Sequence, residues 1–327
     1  MRAVLPEAEA PDFLPRLGEL PDPVPGPGEV LLDVRATAIN HADLLQMRGR
    51  YPPPPGESEV PGLECAGVVE AVGEGVRSWS PGQRVMALLA GGGHGEKVAV
   101  PVGQLLPIPG GMSFTDAAAI PEAALTSWTN LVAEGGLQEG ETVLLTGATG
   151  GMGTFAVQLA RELGARVLAA GRSRLRLEPL RELGADALVE LGEGFVAEVR
   201  DVTGGRGVDV VLDLVGGEAL ARRLKILAPR GRLVLLGLLA GPKTEIDLAD
   251  VLRRRLRLIG SVLRARSRVE KAELVAGFRA FADARLADGR LRPVVDRVLP
   301  FDDIAGAYRA LREGGVGGKV AVEMSVS

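Results

Sequence analysis

A glycine cluster between a short apolar run and a helical segment constrains the fold of this chain more than any other feature of its sequence. The apolar run is Thr142–Thr146, and the expected helix covers residues 154–163. Such a run is typical of a buried parallel strand. Small residues between strand and helix let the backbone approach a pyrophosphate, which the helix N-terminus attracts. We therefore expect a dinucleotide site here rather than a turn without a ligand, and it comprises Gly147, Ala148, Thr149, Gly150, Gly151, Met152 and Gly153.

Strand-like and helical segments alternate over residues 120–258. Beyond the first pair, strands are expected at 166–170, 208–213 and 232–236, and helices at 173–183 and 220–227. Two of the helices are followed by a glycine, Gly164 or Gly184, which commonly marks a helix end. The alternation predicts an α/β protein with a Rossmann-type doubly wound parallel sheet.

The sequence on either side of this region has a different pattern. Residues 1–119 consist of short strand-like runs separated by proline and glycine, which is typical of a barrel-like fold. The last part carries helices at 268–288 and 304–312, an extended piece at 292–299 and a closing strand at 318–322. We therefore expect a Rossmann dinucleotide-binding domain at 120–258, with a barrel-like part at 1–119 before it and a mixed tail at 259–327 after it.

The residues after the second strand bear on which dinucleotide binds. An NAD site usually has an aspartate or glutamate there to bond the ribose 2′-hydroxyl. Here the chain runs Gly171-Arg172-Ser173-Arg174, without an acid. A guanidinium matches phosphate geometry and a serine hydroxyl adds a donor, so Arg172, Ser173 and Arg174 favour NADPH, with its 2′-phosphate, over NADH. The alternative is that Ser173 only caps a helix and the arginines are solvated.

The composition argues against several other classes of protein. A single cysteine, Cys65, rules out an internal disulfide and a cysteine-rich zinc lobe. A metal site built from His41, His94 and Glu64 is conceivable but has no recognised spacing. The net charge of −4 does not favour nucleic acid as a partner. No apolar stretch approaches the ~20 residues that span a bilayer, and no signal-peptide pattern is present. We therefore expect a cytoplasmic protein without a membrane or nucleic-acid partner.

Several further motifs resemble those of one superfamily. They are Asn40-His41-Ala42-Asp43-Leu44, Gly49-Arg50-Tyr51-Pro52-Pro53-Pro54-Pro55-Gly56, Pro61-Gly62-Leu63-Glu64-Cys65-Ala66-Gly67, Ala117-Ala118-Ala119-Ile120-Pro121 and Gly260-Ser261-Val262-Leu263-Arg264. With the order of the domains, they make essentially the whole chain similar to the medium-chain dehydrogenase/reductase superfamily. Within it, the chain resembles the zinc-independent quinone oxidoreductases, in particular the tumour-suppressor-inducible branch and zeta-crystallin. The resemblance implies that residues 1–119 and 259–327 together form a GroES-like catalytic domain beside the Rossmann domain. It also implies a homodimer formed through apolar edge strands at 233–239 and 258–263.

The chain also departs from its relatives at three places. Asn40 stands where zinc-dependent members have a cysteine ligand, and Leu63 where they have a histidine ligand. Neither side chain can complete a zinc site, so no metal is expected. Leu191 stands where quinone oxidoreductases often have a tyrosine that touches the 2′-phosphate, which leaves the NADPH prediction resting on Arg172 and Ser173.

The resemblance implies which residues lie at the reacting centre. Tyr51, one of two tyrosines, sits in a proline-stiffened loop that the family places over the nicotinamide. Its phenol either donates to the substrate oxygen or only positions the ring; the alternative is a surface aromatic stacked on prolines. Asn40 is implied to lie beside the nicotinamide ribose and the substrate, and Asp43 in the same motif is as well explained by a structural role.

The resemblance assigns further residues to the cofactor. Thr126 matches a threonine near the nicotinamide, although a residue of an interdomain helix explains it nearly as well. Gly237 and Leu238 match the backbone that lines the nicotinamide pocket. Leu263, with the Arg264 that follows it, and Lys319 match positions at the edge of the cofactor, and for the two cations a solvated charge is an equal alternative.

These features together predict an NADPH-dependent, zinc-independent reductase of quinones or related conjugated carbonyls, acting in a crevice between the two domains. Hydride transfer leaves an oxyanion on the substrate, which needs a hydrogen-bond donor in place. Two alternatives stay open. One is an enoyl or enone reductase on the same fold, and the other is an NADPH-binding protein without turnover.

Overall fold

The computed structural model of the protein describes residues 1–5 and 13–325. The chain forms two compact units, which we call unit 1 (Met1–Leu125 with Leu263–Ser327) and unit 2 (Thr126–Val262). The boundaries expected from the sequence, after residues 119 and 258, fall a few residues before these. Among the described residues, no helix combines the length and the apolar character needed to cross a bilayer.

The first part of unit 1 is mostly β, in keeping with its frequent proline and glycine turns. Its elements are β1 (Arg2–Val4), β2 (Leu17–Glu19), β3 (Glu29–Ile39), α1 (His41–Met47), β4 (Glu64–Val72), β5 (Arg84–Leu88), β6 (Lys97–Pro101), β7 (Leu105–Pro107) and α2 (Phe114–Ala118). The next helix, α3 (Pro121–Trp128), contains the boundary between the units and continues as a π-helical turn over Thr129–Glu134.

Unit 2 alternates strands and helices. Its elements are β8 (Thr142–Thr146), α4 (Gly151–Glu162), β9 (Arg166–Gly171), α5 (Arg174–Leu177), α6 (Leu180–Leu183), β10 (Ala187–Glu190), α7 (Phe195–Val202), β11 (Val208–Asp213), α8 (Ala219–Lys225), β12 (Leu227–Leu235), α9 (Leu248–Arg254) and β13 (Arg257–Gly260). The strands form one parallel sheet in the order β10-β9-β8-β11-β12-β13. The predicted doubly wound parallel sheet is thereby confirmed. Its strand order reverses between β8 and β11, and ligands bind at the carboxyl ends of the strands at such a point.

Three local expectations for unit 2 were wrong. Helix α4 begins at Gly151 rather than at residue 154, so two glycines of the cluster lie inside its first turn. The single helix expected at 173–183 is two short helices, because Pro179 has no N–H to continue the first one. Of the apolar segment 233–239, expected at a sheet edge, residues 233–235 belong to β12, which is paired on both sides, and β13 forms that edge.

The last part of unit 1 returns to its sheet. It contains α10 (Arg268–Ala287), β14 (Val295–Pro300), α11 (Ile304–Glu313) and β15 (Lys319–Glu323). The sheet has the order β14-β15-β3-β4-β5-β7, and β6 also pairs with β3. In the antiparallel register of β15 and β3, Val320 lies opposite Ile39. The next residues outward, Lys319 and Asn40, are therefore brought side by side.

Each unit has a core of its own. In unit 1, apolar side chains of β3, β4 and β15 pack with Tyr308 and Ile304 from α11. In unit 2, Leu144, Leu168 and Val211 lie at the centre of the parallel sheet and are 0% exposed. Burial on both faces explains the continuous apolar runs of these parallel strands.

Candidate active site

The predicted dinucleotide-binding residues form a tight turn between β8 and α4. Gly147 has a φ of 63°, in the left-handed region, and Gly150 is the N-cap of α4. A Cβ atom on Gly153 would lie 2.4 Å from the Gly147 carbonyl oxygen and 2.6 Å from the Ala148 Cα. Only glycine at 153 therefore lets the first turn of α4 lie against this turn. The N–H groups of that first turn have no acceptor within the helix, so they suit a phosphate anion at the carboxyl end of β8.

A buried ion pair at the end of β11 fixes the neighbouring loop. The Asp213 carboxylate accepts a hydrogen bond from Arg223 Nη1 at 2.9 Å, and neither side chain is more than 3% exposed. Its other oxygen accepts the N–H of Val215 at 2.8 Å. In the adjoining turn, Thr146 Oγ1 accepts the Leu214 N–H at 3.1 Å. This pair was not predicted from the sequence, although an aspartate ending an apolar strand was a signal that a buried partner exists.

The residues predicted to bind the 2′-phosphate directly follow β9. The Arg172 side chain is exposed, and within the described residues neither it nor the Ser173 hydroxyl has a hydrogen-bond or ion-pair partner. Ser173 occupies the N-cap position of α5, but its hydroxyl makes no capping hydrogen bond. Arg174 differs from the other two, because its Nη1 donates to Glu198 Oε1 at 2.8 Å. Arg172 and Ser173 thus offer donors to a ligand, whereas Arg174 is already partly neutralised.

Three other predicted cofactor residues lie in unit 2. A Cβ atom on Gly237 would lie 2.4 Å from the Leu214 carbonyl oxygen, so only glycine allows these two strand ends to approach. The following Leu238 is 52% exposed. Thr126 lies in α3, and its carbonyl oxygen accepts a hydrogen bond from Asn130 Nδ2 at 2.7 Å. Gly237 and Leu238 thus follow the carboxyl end of β12, and their contact with the cofactor stays a prediction.

In unit 1, a buried network surrounds the side chain of Asn40. Lys319 Nζ donates to Asn40 Oδ1 at 2.5 Å and also to Glu64 Oε1. Asn40 Nδ2 donates to Glu64 Oε1 at 2.9 Å, and the second Glu64 oxygen accepts the Glu122 N–H at 2.9 Å. Glu64 is 0% exposed and Lys319 4%. Lys319 is therefore not a solvated charge, and its pairing with Glu64 was not predicted from the sequence.

This network determines what Asn40 can offer a ligand. Its amide oxygen accepts from Lys319, and its amide nitrogen donates to Glu64 and, at 3.5 Å, to the Ala38 carbonyl. A primary amide has two N–H donors and two acceptor lone pairs. The contact with the Ala38 carbonyl is long for a hydrogen bond, so one amide N–H of Asn40 is held only weakly. Asn40 therefore has polar capacity left for a ligand group beside it, such as a ribose hydroxyl.

The residues around Asn40 do not fit a zinc ion. The ammonium group of Lys319 lies where a cation would have to approach, and Leu63 is an apolar side chain 1% exposed. Burial raises the pKa of the Cys65 thiol well above its ordinary value, so the thiolate that zinc requires is disfavoured. Over residues 1–5 and 13–325, no group of three or more histidine, cysteine, aspartate or glutamate side chains is placed to hold a metal.

Tyr51 lies partly buried in the loop between α1 and β4. Burial raises the pKa of its phenol, as does the charge of Glu122, whereas the cation of Arg264 opposes this rise. The phenol is therefore protonated at neutral pH and can donate a hydrogen bond. Its hydroxyl has no partner among the residues that the structure describes. Arg264 is 5% exposed and Leu263 7%, so Arg264 too is not the solvated charge considered from the sequence.

Asp43 holds the start of α1. Its carboxylate accepts the N–H groups of Asn40 at 2.7 Å and of Gly62 at 3.2 Å. The buried His94 lies next to Asp43, with its Nε2 3.9 Å from Asp43 Oδ2. The other ring nitrogen, His94 Nδ1, shares a hydrogen bond of 2.9 Å with the Tyr308 hydroxyl. Burial lowers the pKa of His94, which favours its neutral form. These contacts favour the structural role of Asp43 that the sequence left open.

Two family models match the chain. The model described as alcohol dehydrogenase GroES-like domain matches residues 26–110, and the model described as zinc-binding dehydrogenase matches residues 151–276. Among curated proteins, the synaptic vesicle membrane protein VAT-1 homolog of Homo sapiens is 35% identical over 313 residues, which cover 91% of this chain and 79% of that protein.

Solved structures resemble the chain over nearly its full length. The quinone oxidoreductase of Thermus thermophilus, described with its NADPH complex, is 38% identical with a TM-score of 0.83, over 99% of this chain and 100% of that one. The CurK enoyl reductase is 28% identical with a TM-score of 0.83, over 95% of each chain.

Proposed function

The chain belongs to the medium-chain dehydrogenase/reductase superfamily and is an oxidoreductase of that family, and from this premise we propose that it is an NADPH-dependent reductase of quinones or related conjugated carbonyls that works without zinc. The overall reaction would convert a quinone, NADPH and a proton into a hydroquinone and NADP⁺. NADPH supplies the hydride when it is bound, and the chain supplies binding, orientation and a proton donor.

The choice of NADPH over NADH rests on the residues that directly follow β9. Arg172 and Ser173 lie there with unpartnered side chains, and no carboxylate occupies the place that would bond a ribose 2′-hydroxyl. A charged guanidinium facing water gains more from a phosphate dianion than from a hydroxyl. The NADPH complex described for the similar Thermus enzyme also supports this choice.

The residues of unit 1 would perform the polar part of the reaction. The Tyr51 hydroxyl is protonated and unpartnered, so it can donate to the oxygen on which negative charge develops. Asn40, held by Lys319 and Glu64, would hydrogen-bond a ribose hydroxyl and so orient the cofactor. The ammonium group of Lys319 lies beside Asn40, where a zinc ion would have to approach, and this supports a reaction without zinc.

The cofactor assignment is tested by replacing both predicted phosphate-binding side chains. The double variant Arg172→Ala, Ser173→Ala should lower kcat/KM for NADPH by about 10- to 100-fold, because hydrogen bonds to a charged group contribute about 1.5–3 kcal/mol, and should leave NADH little changed. Initial rates with a quinone acceptor give kcat/KM for NADPH and for NADH. Arg181→Ala, another exposed arginine of unit 2, is the control and should leave the preference unchanged. An unaltered NADPH/NADH ratio in the double variant would contradict the assignment.

An enoyl or enone reductase is the second candidate, supported by the similarity to the CurK enoyl reductase. Both reactions add hydride at a conjugated position and need a donor at the same oxygen, so the residues described above serve either. Parallel assays with a quinone and an enoyl thioester separate the two.

We also propose that the protein forms a homodimer through the free edge of the parallel sheet of unit 2. The edge strand β13 carries Leu258, which is 49% exposed, and Val262 beyond it is 53% exposed. An uncovered apolar edge strand is a template for pairing with another chain. A second copy would pair strand to strand and bury these side chains.

A further inference from the structure

Arg264 joins three separate segments of unit 1. Its Nε donates to the Ala90 carbonyl oxygen at 2.7 Å, its Nη1 to the Tyr51 carbonyl oxygen at 2.8 Å, and its Nη2 to Gln46 Oε1 at 2.6 Å. The side chain is 5% exposed. A guanidinium buried to this extent needs such acceptors, and its planar fork allows it to serve all three at fixed angles.

The same guanidinium also contacts the ring of Tyr51. Its central carbon lies 5.1 Å from the ring centroid, within the range of a cation–π interaction. Arg264 thus holds this residue twice, at the backbone through a hydrogen bond and at the ring through its charge. Both contacts lie on the residue to which we assign proton donation.

Gln46 extends the connection to the helix that starts at Asn40. Gln46 lies in the last turn of α1, and Asn40 is the N-cap of that helix. While Gln46 Oε1 accepts from Arg264, its Nε2 donates to the Glu59 carbonyl oxygen at 2.8 Å. The loop that carries Tyr51 is therefore tied to α1 on one side and to Arg264 on the other.

We propose that Arg264 is a positioning residue, which fixes the backbone and ring of Tyr51 and so places its phenol for proton donation to the reduced acceptor. The proposal rests on the proposed function and adds to it a residue that acts through its contacts with Tyr51. Lysine would keep the charge but would replace the three donor nitrogens that Arg264 uses by a single one.

Removal of the cation has a spectroscopic consequence. The charge of Arg264 opposes the rise in the pKa of Tyr51 that burial and Glu122 cause, so without it the pKa of Tyr51 moves further up. The chain has two tyrosines, and burial raises the pKa of the other, Tyr308, well above its ordinary value. The first phenolate absorbance to develop in an alkaline titration therefore belongs to Tyr51, and the variant Tyr51→Phe verifies this assignment.

The test combines this titration with steady-state kinetics. Arg264→Met should raise the pKa of Tyr51 and lower kcat with a quinone by about 10- to 100-fold, because small displacements of a reacting group have effects of that size. Arg264→Lys should lower kcat similarly but move the pKa less. Gln46→Met, which removes one acceptor and keeps the arginine, should lower kcat by a smaller factor and carries the test if both Arg264 variants fail to fold.

A matched control separates positioning from general loss of an arginine. Arg84 of unit 1 donates to the Met112 carbonyl oxygen at 2.7 Å and lies 4.4 Å from the ring centroid of Phe114. Arg84→Met removes the same kinds of contact at a place away from Tyr51. It should change neither the pKa of Tyr51 nor kcat. The proposal is overturned if Arg264→Met leaves the pKa of Tyr51 unchanged, or if Arg84→Met shifts it equally. The titration needs no turnover, so it remains decisive even if no acceptor is reduced.

Discussion

Two side chains of opposite charge, both almost fully buried, hold Asn40 in place. Lys319 and Glu64 lie on β15 and β4, far apart in sequence, and meet because β15 and β4 both pair with β3. Sequence alone could identify Asn40 and Lys319 as residues of interest through their motifs. It could not show that they touch, because the contact depends on the register of strands nearly 280 residues apart.

This network predicts a large loss of stability when one partner is removed. Lys319→Met leaves the buried Glu64 side chain without its cationic partner, and breaking a buried pair in this way costs about 3–5 kcal/mol. Urea unfolding measures the loss, and adding Glu64→Gln to the same variant should recover part of it because a neutral amide needs no cation beside it. Lys97→Met, which breaks surface ion pairs with Glu70 and Asp22, is the control and should have little effect. Equal effects of the two single variants would contradict this account.

Tyr51 predicts both a rate effect and a pH dependence. Tyr51→Phe should lower kcat by about 100-fold, the lower range for removal of a general acid, with NADPH affinity unchanged. Since burial raises the pKa of the phenol, the proton is present at neutral pH, and kcat should fall only as the pH rises beyond the ordinary tyrosine value of about 10. This alkaline limb should be absent in Tyr51→Phe. A variant as fast as the wild type would remove Tyr51 from the mechanism.

At the scale of elements, the junction of β8 and α4 was the most predictable part of the molecule. The apolar run, the glycines and the helix each have a local physical cause, so their order along the chain was sufficient. The start of α4 was misplaced by three residues, because the glycines that permit the close approach also lie within its first turn. The break at Pro179 was visible in the sequence but was overlooked, whereas the extent of β12 depends on its neighbours in the sheet.

The close approach at Gly153 predicts a selective defect in cofactor binding. Gly153→Ala would place a Cβ atom 2.4 Å from the Gly147 carbonyl oxygen, so α4 must move away from the turn. We expect NADPH affinity to fall at least about tenfold, given the usual cost of about 1–3 kcal/mol for overpacking. Equilibrium titration of NADPH fluorescence measures it. Gly194→Ala is the control, because that position has open space and a φ of −78°. An unchanged affinity in Gly153→Ala would show that α4 does not need this approach.

At the scale of the whole molecule, the family and the fold class predicted from the sequence are confirmed by the comparisons. The prediction of family and fold class rested on motifs spread along the chain. The sequence could not show which charges would be buried, and Lys319 and Arg264 were left open as solvated charges for that reason. The edge strand was predicted only in part, since one of two candidate segments begins in β12, inside the sheet.

The proposed homodimer makes a prediction at this scale. Leu258→Lys places a charge on the free edge of β13 and should convert a dimer into a monomer in sedimentation equilibrium, because an edge charge opposes strand pairing. Leu175→Lys, at a leucine of α5 that is 82% exposed, should leave the dimer intact. A wild-type monomer, or a dimer that survives Leu258→Lys, would contradict this interface.

The loss of NADPH absorbance in the presence of an ortho-quinone, compared with NADH, a para-quinone and a short enoyl thioester, tests the central claim most directly. We predict turnover with a quinone and a clear preference for NADPH, because we assign Arg172 and Ser173 to the 2′-phosphate and Tyr51 to proton donation at the reduced oxygen. Turnover with the thioester alone would assign the protein to the enoyl reductases. Tight NADPH binding without reduction of any acceptor would contradict an enzymatic role.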